Sequence, residues 1–311
     1  MNKKANRIEW LDVAKGIVII LMILGHTSIP HYASNVLFAF HMPFFFVASG
    51  FTTKFEKYSF SHFCRNKLKS LGIPFVIYSA VNLVLWPIAE GRAFSDYCCK
   101  FLMEGWGGVA LWFIPVLFFA LVMARIVYIV KNVKLRYALT LLLPVISGLL
   151  CYFHLFLPWN LSVVPFASFF ILAGDFCKQY VEGLSAFKWE RWYWFIISLV
   201  VFVGISQFWR MDMACNNVLP MFPKIVAALC GCYCIVKISV IIAEKIPLLL
   251  KIMKAVGRET YIILAFSQII IFSANAFLKI GTIPKYALLV IGLVLIVYVK
   301  NLVIVILKRK I

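Results

Sequence analysis

Acidic residues are scarce in this sequence, which has only 12 Asp and Glu among its 311 residues. Charged residues of both signs make up 14% of the chain, whereas soluble domains carry roughly 25%. Hydrophobic residues make up 64%, and the mean hydropathy is +0.96. A soluble protein of this length needs more polar surface than these charges supply. The composition therefore predicts an all-α integral membrane protein.

The sequence also lacks Ser- or Pro-rich linkers and internal repeats. Instead, apolar runs of about the length of a spanning helix follow one another through short connections. We therefore expect a single polytopic membrane domain over residues 1–311, folded as a bundle of about ten transmembrane helices. Because further runs follow the first one, we do not expect the first to be a cleaved signal peptide. The runs lie at about 10–29, 35–53, 70–89, 106–128, 138–155, 159–177, 192–209, 224–243, 260–279 and 286–307.

Metal-ligand spacing is missing as well, although the chain has nine cysteines. Cys230, Cys232 and Cys234 fall at i, i+2 and i+4, which on a helix directs the middle thiol away from the other two. This spacing favours small apolar packing side chains. We expect no metal site.

Basic residues are plentiful, with 31 Lys and Arg and a net charge of +19. A charge of this size can indicate nucleic-acid binding, but here the basic residues stand in short clusters between apolar runs, as in cytoplasmic loops. With the N-terminus in the cytoplasm, 21 of them fall in inner segments and five in outer segments. We therefore expect both termini in the cytoplasm, membrane lipid around the chain and no nucleic-acid partner. The five outer residues are Arg92, Lys100, Arg210, Lys224 and Lys285.

The first apolar run carries three ionisable residues: Asp12, Lys15 and His26. Lys15 and His26 are eleven positions apart, so on an α-helix they lie within roughly 20° of each other and roughly 16 Å apart along the axis. Asp12 lies on the same side. Charged groups in hydrocarbon cost about 2.5–3.5 kcal/mol each, so this polar stripe predicts a functional site.

A second histidine, His41, enters the second run from the outer side, about 9 Å below position 35. His26 is expected at a similar depth, so the two rings should meet. His154, near the outer end of the fifth run, is a candidate third member. The alternative for each histidine is a hydrogen-bonded packing residue. Ser49-Gly50 allows close approach of either a ligand or a neighbouring helix.

These residues belong to a longer pattern of motifs. It begins with Arg7…Leu11-Asp12…Lys15-Gly16…Gly25-His26 and Phe40-His41-Met42-Pro43-Phe44-Phe45…Ser49-Gly50, and it continues with Arg65-Asn-Lys-Leu-Lys69 before Pro74 and with Leu111-Trp112-Phe113-Ile114-Pro115. The pattern covers essentially the whole chain. It resembles acyltransferase family 3, the integral-membrane O-acyltransferases that include fucose O-acetylase-like enzymes. The spacing of ten residues between the basic residue and the histidine is its most specific element.

The resemblance implies transfer of an acetyl group from acetyl-CoA to a hydroxyl of a cell-surface or lipid-linked glycan, in the bacterial inner membrane. His26 is then the general base, since an imidazole can accept a proton from an alcohol near neutral pH, and His41 is its nearest competitor. Lys15 and Asp12 position each other or the donor. Arg65 and Lys69, with Lys15, are the candidates for binding CoA phosphates. The alternative for the loop cations is the ordinary positive-inside bias.

The chain departs from the family pattern at one place. Members often carry a histidine in the late span that follows a Gly-Lys-Asn-Ser/Thr-like turn; here Gly257-Arg258-Glu259-Thr260 is followed by Ser267-Gln268. Ser267 or Gln268 can keep a hydrogen bond, but neither can act as a base. The sequence leaves open which sugar accepts the acyl group and how long that group is. It also leaves open whether the hydroxyl attacks directly or through an acyl-histidine relay, and whether the protein forms a homo-oligomer.

A transporter or flippase is the alternative from another class, because buried charges also line translocation paths. Transporters often show inverted repeats and paired broken helices. The sequence shows neither, which favours the enzyme.

Overall fold

The computed structural model describes residues 8–27, 29–183, 192–278 and 282–309. Regular structure in these ranges is helical, apart from one isolated bridge between Asp212 and Asn217. Seven of the described helices are long and apolar enough to cross a membrane, and two more are apolar but shorter. The all-helical, multi-pass prediction is confirmed. The number of about ten spans and the location of the termini are not confirmed, and Arg7 lies outside the described residues.

The helices are numbered here in chain order. They are α1 (Glu9–Gly25), α2 (His31–Thr52), α3 (Phe60–Lys67), α4 (Ile73–Glu90), α5 (Phe94–Glu104), α6 (Phe113–Ile129), α7 (Val133–Tyr152), α8 (Val164–Gly183), α9 (Trp192–Phe208), α10 (Met221–Lys245), α11 (Pro247–Arg258), α12 (Thr260–Ser273) and α13 (Thr282–Arg309). Short π-helical turns follow α3 (Leu68–Gly72) and α12 (Ala274–Leu278), and a 3-10 turn (Pro158–Val163) precedes α8.

Each of the ten predicted apolar runs coincides with a helix, but three helices were not predicted. The helices α3, α5 and α11 have 8, 11 and 12 residues, too short and too charged to stand out as apolar runs. The connection between the predicted runs 70–89 and 106–128 contains α5. This helix is capped by Gly105 in the left-handed region (φ 71°), a conformation that glycine adopts at low cost.

The chain forms two compact units. Unit 1 consists of Met1–Ile73 and Phe113–Arg258, and unit 2 of Pro74–Trp112 and Glu259–Ile311. The division into two units does not test whether residues 1–311 form a single acyltransferase domain, so that domain stays a prediction. All candidate site residues named from the family pattern before position 70 lie in unit 1.

In unit 1, α2 and α8 are in backbone contact at glycines. A Cβ added to Gly50 would come within 1.8 Å of the Ile171 carbonyl oxygen, and a Cβ added to Gly174 within 2.0 Å of the Val47 carbonyl oxygen. Small residues let helix backbones approach closely in membrane proteins. The approach that Ser49-Gly50 allows is therefore used by a neighbouring helix.

The helices α1 and α11 meet in the same way. A Cβ added to Gly16 would come within 2.2 Å of the Met253 carbonyl oxygen, and one added to Gly257 within 1.8 Å of the Asp12 carbonyl oxygen. We call this contact the α1–α11 seam. It places the C-terminal end of α11 beside the first charged residues of α1.

Unit 2 is organised around a buried amide that joins α4 to α12. Asn82 donates from Nδ2 to the Ala265 carbonyl oxygen at 3.2 Å, and its Oδ1 accepts from Trp86 Nε1 at 3.1 Å. Satisfying a buried amide in this way avoids the desolvation cost of an unpaired polar group. The bond to Ala265 connects two helices that are far apart in sequence, whereas the bond from Trp86 lies within α4.

Candidate active site

Two histidines meet where α1 ends and α2 passes beside it. The ring centroids of His26 and His41 are 6.1 Å apart, with the planes nearly perpendicular at 83°. Phe38 packs against both rings, with centroid distances of 5.3 Å to His26 and 5.1 Å to His41. His41 is buried, whereas His26 is half-buried. The structure therefore brings together the two histidines that depth counting predicted to meet.

Both rings have the same hydrogen-bonding arrangement. His26 Nδ1 lies 2.8 Å from the Met22 carbonyl oxygen, and His41 Nδ1 lies 2.7 Å from the Leu37 carbonyl oxygen. A carbonyl oxygen only accepts, so in each ring Nδ1 carries the proton and donates it. The neutral imidazole then has its basic lone pair on Nε2. Both rings can accept a proton at that atom.

An arginine that the sequence analysis assigned no role lies beside this pair. The Arg210 guanidinium carbon is 4.2 Å from the Phe38 ring centroid, within cation–π distance, and its Nη2 is 3.9 Å from the Asp212 carboxylate. Arg210 is one of only five basic residues in the predicted outer segments. A basic residue in an outer segment departs from the positive-inside bias, and that departure was the sequence signal that could have identified Arg210 as a candidate site residue.

The third histidine considered, His154, is not part of this group. It is exposed in the turn after α7, with φ of 54° and its ring 6.0 Å from Phe156. In the described part of the chain, no ring contact joins it to His26 or His41. The candidate group is the pair alone.

The other end of α1 carries an ionic cluster. The buried Asp12 carboxylate accepts from Lys15 Nζ at 2.8 Å through Oδ1, and its Oδ2 is 3.7 Å from Arg258 Nε. Nearby, Lys254 pairs with Glu9. The sequence predicted the Asp12–Lys15 pair but not Arg258, which lies 246 residues beyond Asp12 and is brought there by the α1–α11 seam.

We expect Asp12→Asn to weaken the α1–α11 seam. The carboxylate balances two cations, so its loss should lower the free energy of unfolding by about 1–3 kcal/mol, less than for a fully buried pair because Lys15 and Arg258 keep access to solvent. The midpoint of thermal unfolding of the purified protein in detergent measures this. The exposed Asp96→Asn is the matched control, and equal midpoints for the two variants would contradict the assignment.

The two ends of α1 are well separated. Lys15 and His26 are eleven residues apart, roughly 16 Å along the helix axis. Lys15 therefore does not contact the histidine pair, and any molecule that engages both ends must extend along α1.

The basic residues in the segment after α2 differ in exposure. Arg65 and Lys69 are exposed, whereas Lys67 between them is half-buried and donates from Nζ to Thr53 Oγ1 at 3.2 Å. Among the described residues, neither Arg65 nor Lys69 contacts Lys15. Lys67 therefore links this segment to the residue that follows α2.

Ser267 and Gln268, at the position of the late histidine, are buried in α12 of unit 2. In the described ranges, Ser267 Oγ and Gln268 Nε2 have no hydrogen-bond partner. Both side chains thus have spare hydrogen-bonding capacity, and neither supplies a base.

Comparison with known proteins identifies the family to which this chain belongs. A search of the curated proteins and a search of the solved structures found no match. The family model of acyltransferase family 3, described as an acyltransferase domain, matches residues 8–302, which is nearly the whole chain and includes both ends of α1 and the histidine pair. The chain therefore belongs to acyltransferase family 3.

Proposed function

We propose that this protein is an O-acetyltransferase that moves an acetyl group from cytoplasmic acetyl-CoA to a hydroxyl of a cell-surface or lipid-linked glycan, with His26 as general base. Membership of the family supports membrane acyl transfer. The acetyl donor, the glycan acceptor and a location in the bacterial inner membrane are the further parts of the proposal.

The observation that carries the proposal is the histidine pair with both Nδ1 atoms occupied by backbone carbonyls. An imidazole held in this tautomer presents Nε2 in a defined direction without rearrangement. His26 is favoured over His41 as the base because it is half-buried, so an acceptor hydroxyl can reach it, whereas His41 is buried.

The proton transfers follow from this arrangement. His26 Nε2 takes the proton of the acceptor hydroxyl while the hydroxyl oxygen forms a bond to the thioester carbonyl carbon. The carbon–sulfur bond then breaks, and the proton on His26 passes to the departing thiolate. A relay through an acyl-histidine is the alternative to direct attack.

The lysine end of α1 is proposed as the donor side. Lys15 is partly exposed and paired with Asp12, so it can offer charge to a donor while keeping its position. Arg65 and Lys69 are exposed cations and can bind the phosphates of CoA. The distance of roughly 16 Å between the two ends of α1 requires an extended donor such as one with a pantetheine arm.

No observation favours the transporter or flippase, and family membership favours the enzyme. The test is mass spectrometry of surface glycans from cells with and without the gene, together with labelled acetyl-CoA supplied to inside-out membrane vesicles. We expect glycans to differ by one acetyl group and the label to appear on them. Unchanged glycans together with solute movement across the vesicle membrane would overturn the proposal in favour of the carrier.

A further inference from the structure

Two cavities lie side by side in unit 1, between the end of α2 and the helices α6, α7 and α8. The first, which we call the basic cavity, has a volume of about 600 Å³ and contains Lys54, Lys57, Arg136 and Lys178 among its lining residues. The second, which we call the apolar cavity, has a volume of about 380 Å³ and contains Leu141 and Phe176. Neither cavity was predicted from the sequence.

The basic cavity has an excess of positive charge. Its four cations come from the loop after α2, from α7 and from α8, and they face two carboxylates, Glu56 and Asp175. Glu56 is engaged by Tyr128, whose hydroxyl donates to Oε1 at 3.0 Å. The Arg136 guanidinium carbon lies 4.8 Å from the Tyr128 ring centroid, so that cation is held in position. This arrangement suits a phosphate group.

The apolar cavity continues from the basic one, since Tyr128, Arg136 and Asp175 line both. Its outer wall faces away from the core of the unit, since the residues Leu141 and Phe176 are 65% and 45% exposed. In a helix that crosses a membrane, exposed side chains of this kind contact lipid chains. The combined cavity thus has a cationic part next to a lipid-facing apolar part.

We propose that this combined cavity binds an anionic glycerophospholipid, with the phosphodiester in the basic cavity and one acyl chain in the apolar cavity. Basic pockets between transmembrane helices are suited to such headgroups. The proposal does not depend on the proposed acetyl transfer, because none of its residues belongs to the histidine pair or to the ionic cluster of α1.

The acyl donor is a less suitable occupant, although it also carries phosphates. Between this cavity and the histidine pair, α2 packs against α8. The backbones of these helices are in direct contact at Gly50 and Gly174, where even an added Cβ would overlap a carbonyl oxygen. His41 lies nine residues before Gly50, about 14 Å along α2. The cavity opens towards lipid instead.

The test measures the lipid that the purified full-length protein retains, by native mass spectrometry after exchange into phosphatidylglycerol or phosphatidylcholine. We expect the wild-type protein to retain phosphatidylglycerol in preference. Lys54→Gln and Arg136→Gln should each lower that retention by about fivefold without changing the retention of phosphatidylcholine. Lys134→Gln, an exposed cation outside the cavity, is the matched control and should behave as wild type.

A filling variant tests the apolar part without removing charge. Ala173 lines the apolar cavity, so Ala173→Leu should also lower retention of phosphatidylglycerol. Equal retention of the two lipids by the wild-type protein would overturn the proposal. So would displacement of phosphatidylglycerol by inorganic phosphate, which would indicate a site for small anions, or by CoA, which would assign the cavity to the donor.

Discussion

Substitution of His26 by alanine is expected to lower acyl transfer by about 10²–10⁴-fold while the protein stays in the membrane at its normal level. The substitution removes Nε2, the atom proposed to take the hydroxyl proton. His26 stands at the end of α1 and is half-buried, so the loss of packing against Phe38 should affect stability little. The measurement is acetylation of surface glycans by mass spectrometry, normalised to the amount of protein in the membrane.

Three controls separate loss of the base from a structural effect. His26→Gln keeps a polar side chain of similar reach without a base and should be as inactive as His26→Ala. Added imidazole should restore part of the activity to His26→Ala but none to His26→Gln, whose side chain occupies the space. The exposed His154→Asn, at a position whose positive φ asparagine tolerates, should be fully active. Retained acetylation in His26→Ala would rule out the catalytic assignment.

The same assay distinguishes the two histidines of the pair. His41→Gln should lower activity less than His26→Gln, because His41 is buried and contacts His26 edge-on. If imidazole instead rescues His41→Ala and leaves His26→Ala inactive, the roles of the two rings are exchanged. Either outcome keeps the base within the pair.

The contact between His26 and His41 could be predicted because it depends only on local quantities. Rise per residue gives the depth of each histidine, and consecutive membrane helices joined by a short connection run side by side. The positions of the ten apolar runs follow from hydropathy in the same way. The histidine contact and the apolar runs can both be recognised within about 20 consecutive residues, the length of one membrane span.

The contact between Lys67 and Thr53 is one that the same local reasoning did not predict. Arg65 and Lys69 are four residues apart, so α-helical periodicity predicts that they share one face and that Lys67 lies roughly 200° away from Arg65. The face that carries two cations is exposed, and the single cation on the other face reaches Thr53. The periodicity was present in the sequence, but it did not indicate which face packs against the rest of unit 1.

Contacts between distant segments could not be predicted from a single sequence. Arg258 reaches Asp12 because Gly257 and Gly16 let α11 lie against α1, and neither glycine carries a signal that names its partner. The helix α11 itself is short, and its lysines and arginine obscure it in a hydropathy profile. Arg210 reaches Phe38, beside the histidine pair, by the same kind of long-range packing.

The α1–α11 seam leads to the second large effect: Gly257→Ala is expected to lower the free energy of unfolding by about 3 kcal/mol or more. The new Cβ would lie 1.8 Å from the Asp12 carbonyl oxygen and 2.8 Å from its carbonyl carbon. Both are backbone atoms of a helix, so no side chain can move aside and the two helices must separate. That separation should also break the contact between Arg258 and Asp12.

The midpoint of thermal unfolding in detergent measures the effect, and Gly204→Ala in α9 is the matched control. An added Cβ at Gly204 has no neighbour within 4 Å, so alanine there should leave stability unchanged or raise it by about 1 kcal/mol through its higher helix propensity. If Gly257→Ala and Gly204→Ala unfold at the same temperature, α11 does not lie against α1 as described. If only Gly257→Ala is destabilised, and acyl transfer falls with it, then the ionic cluster and the histidine pair depend on α1 being held along its length.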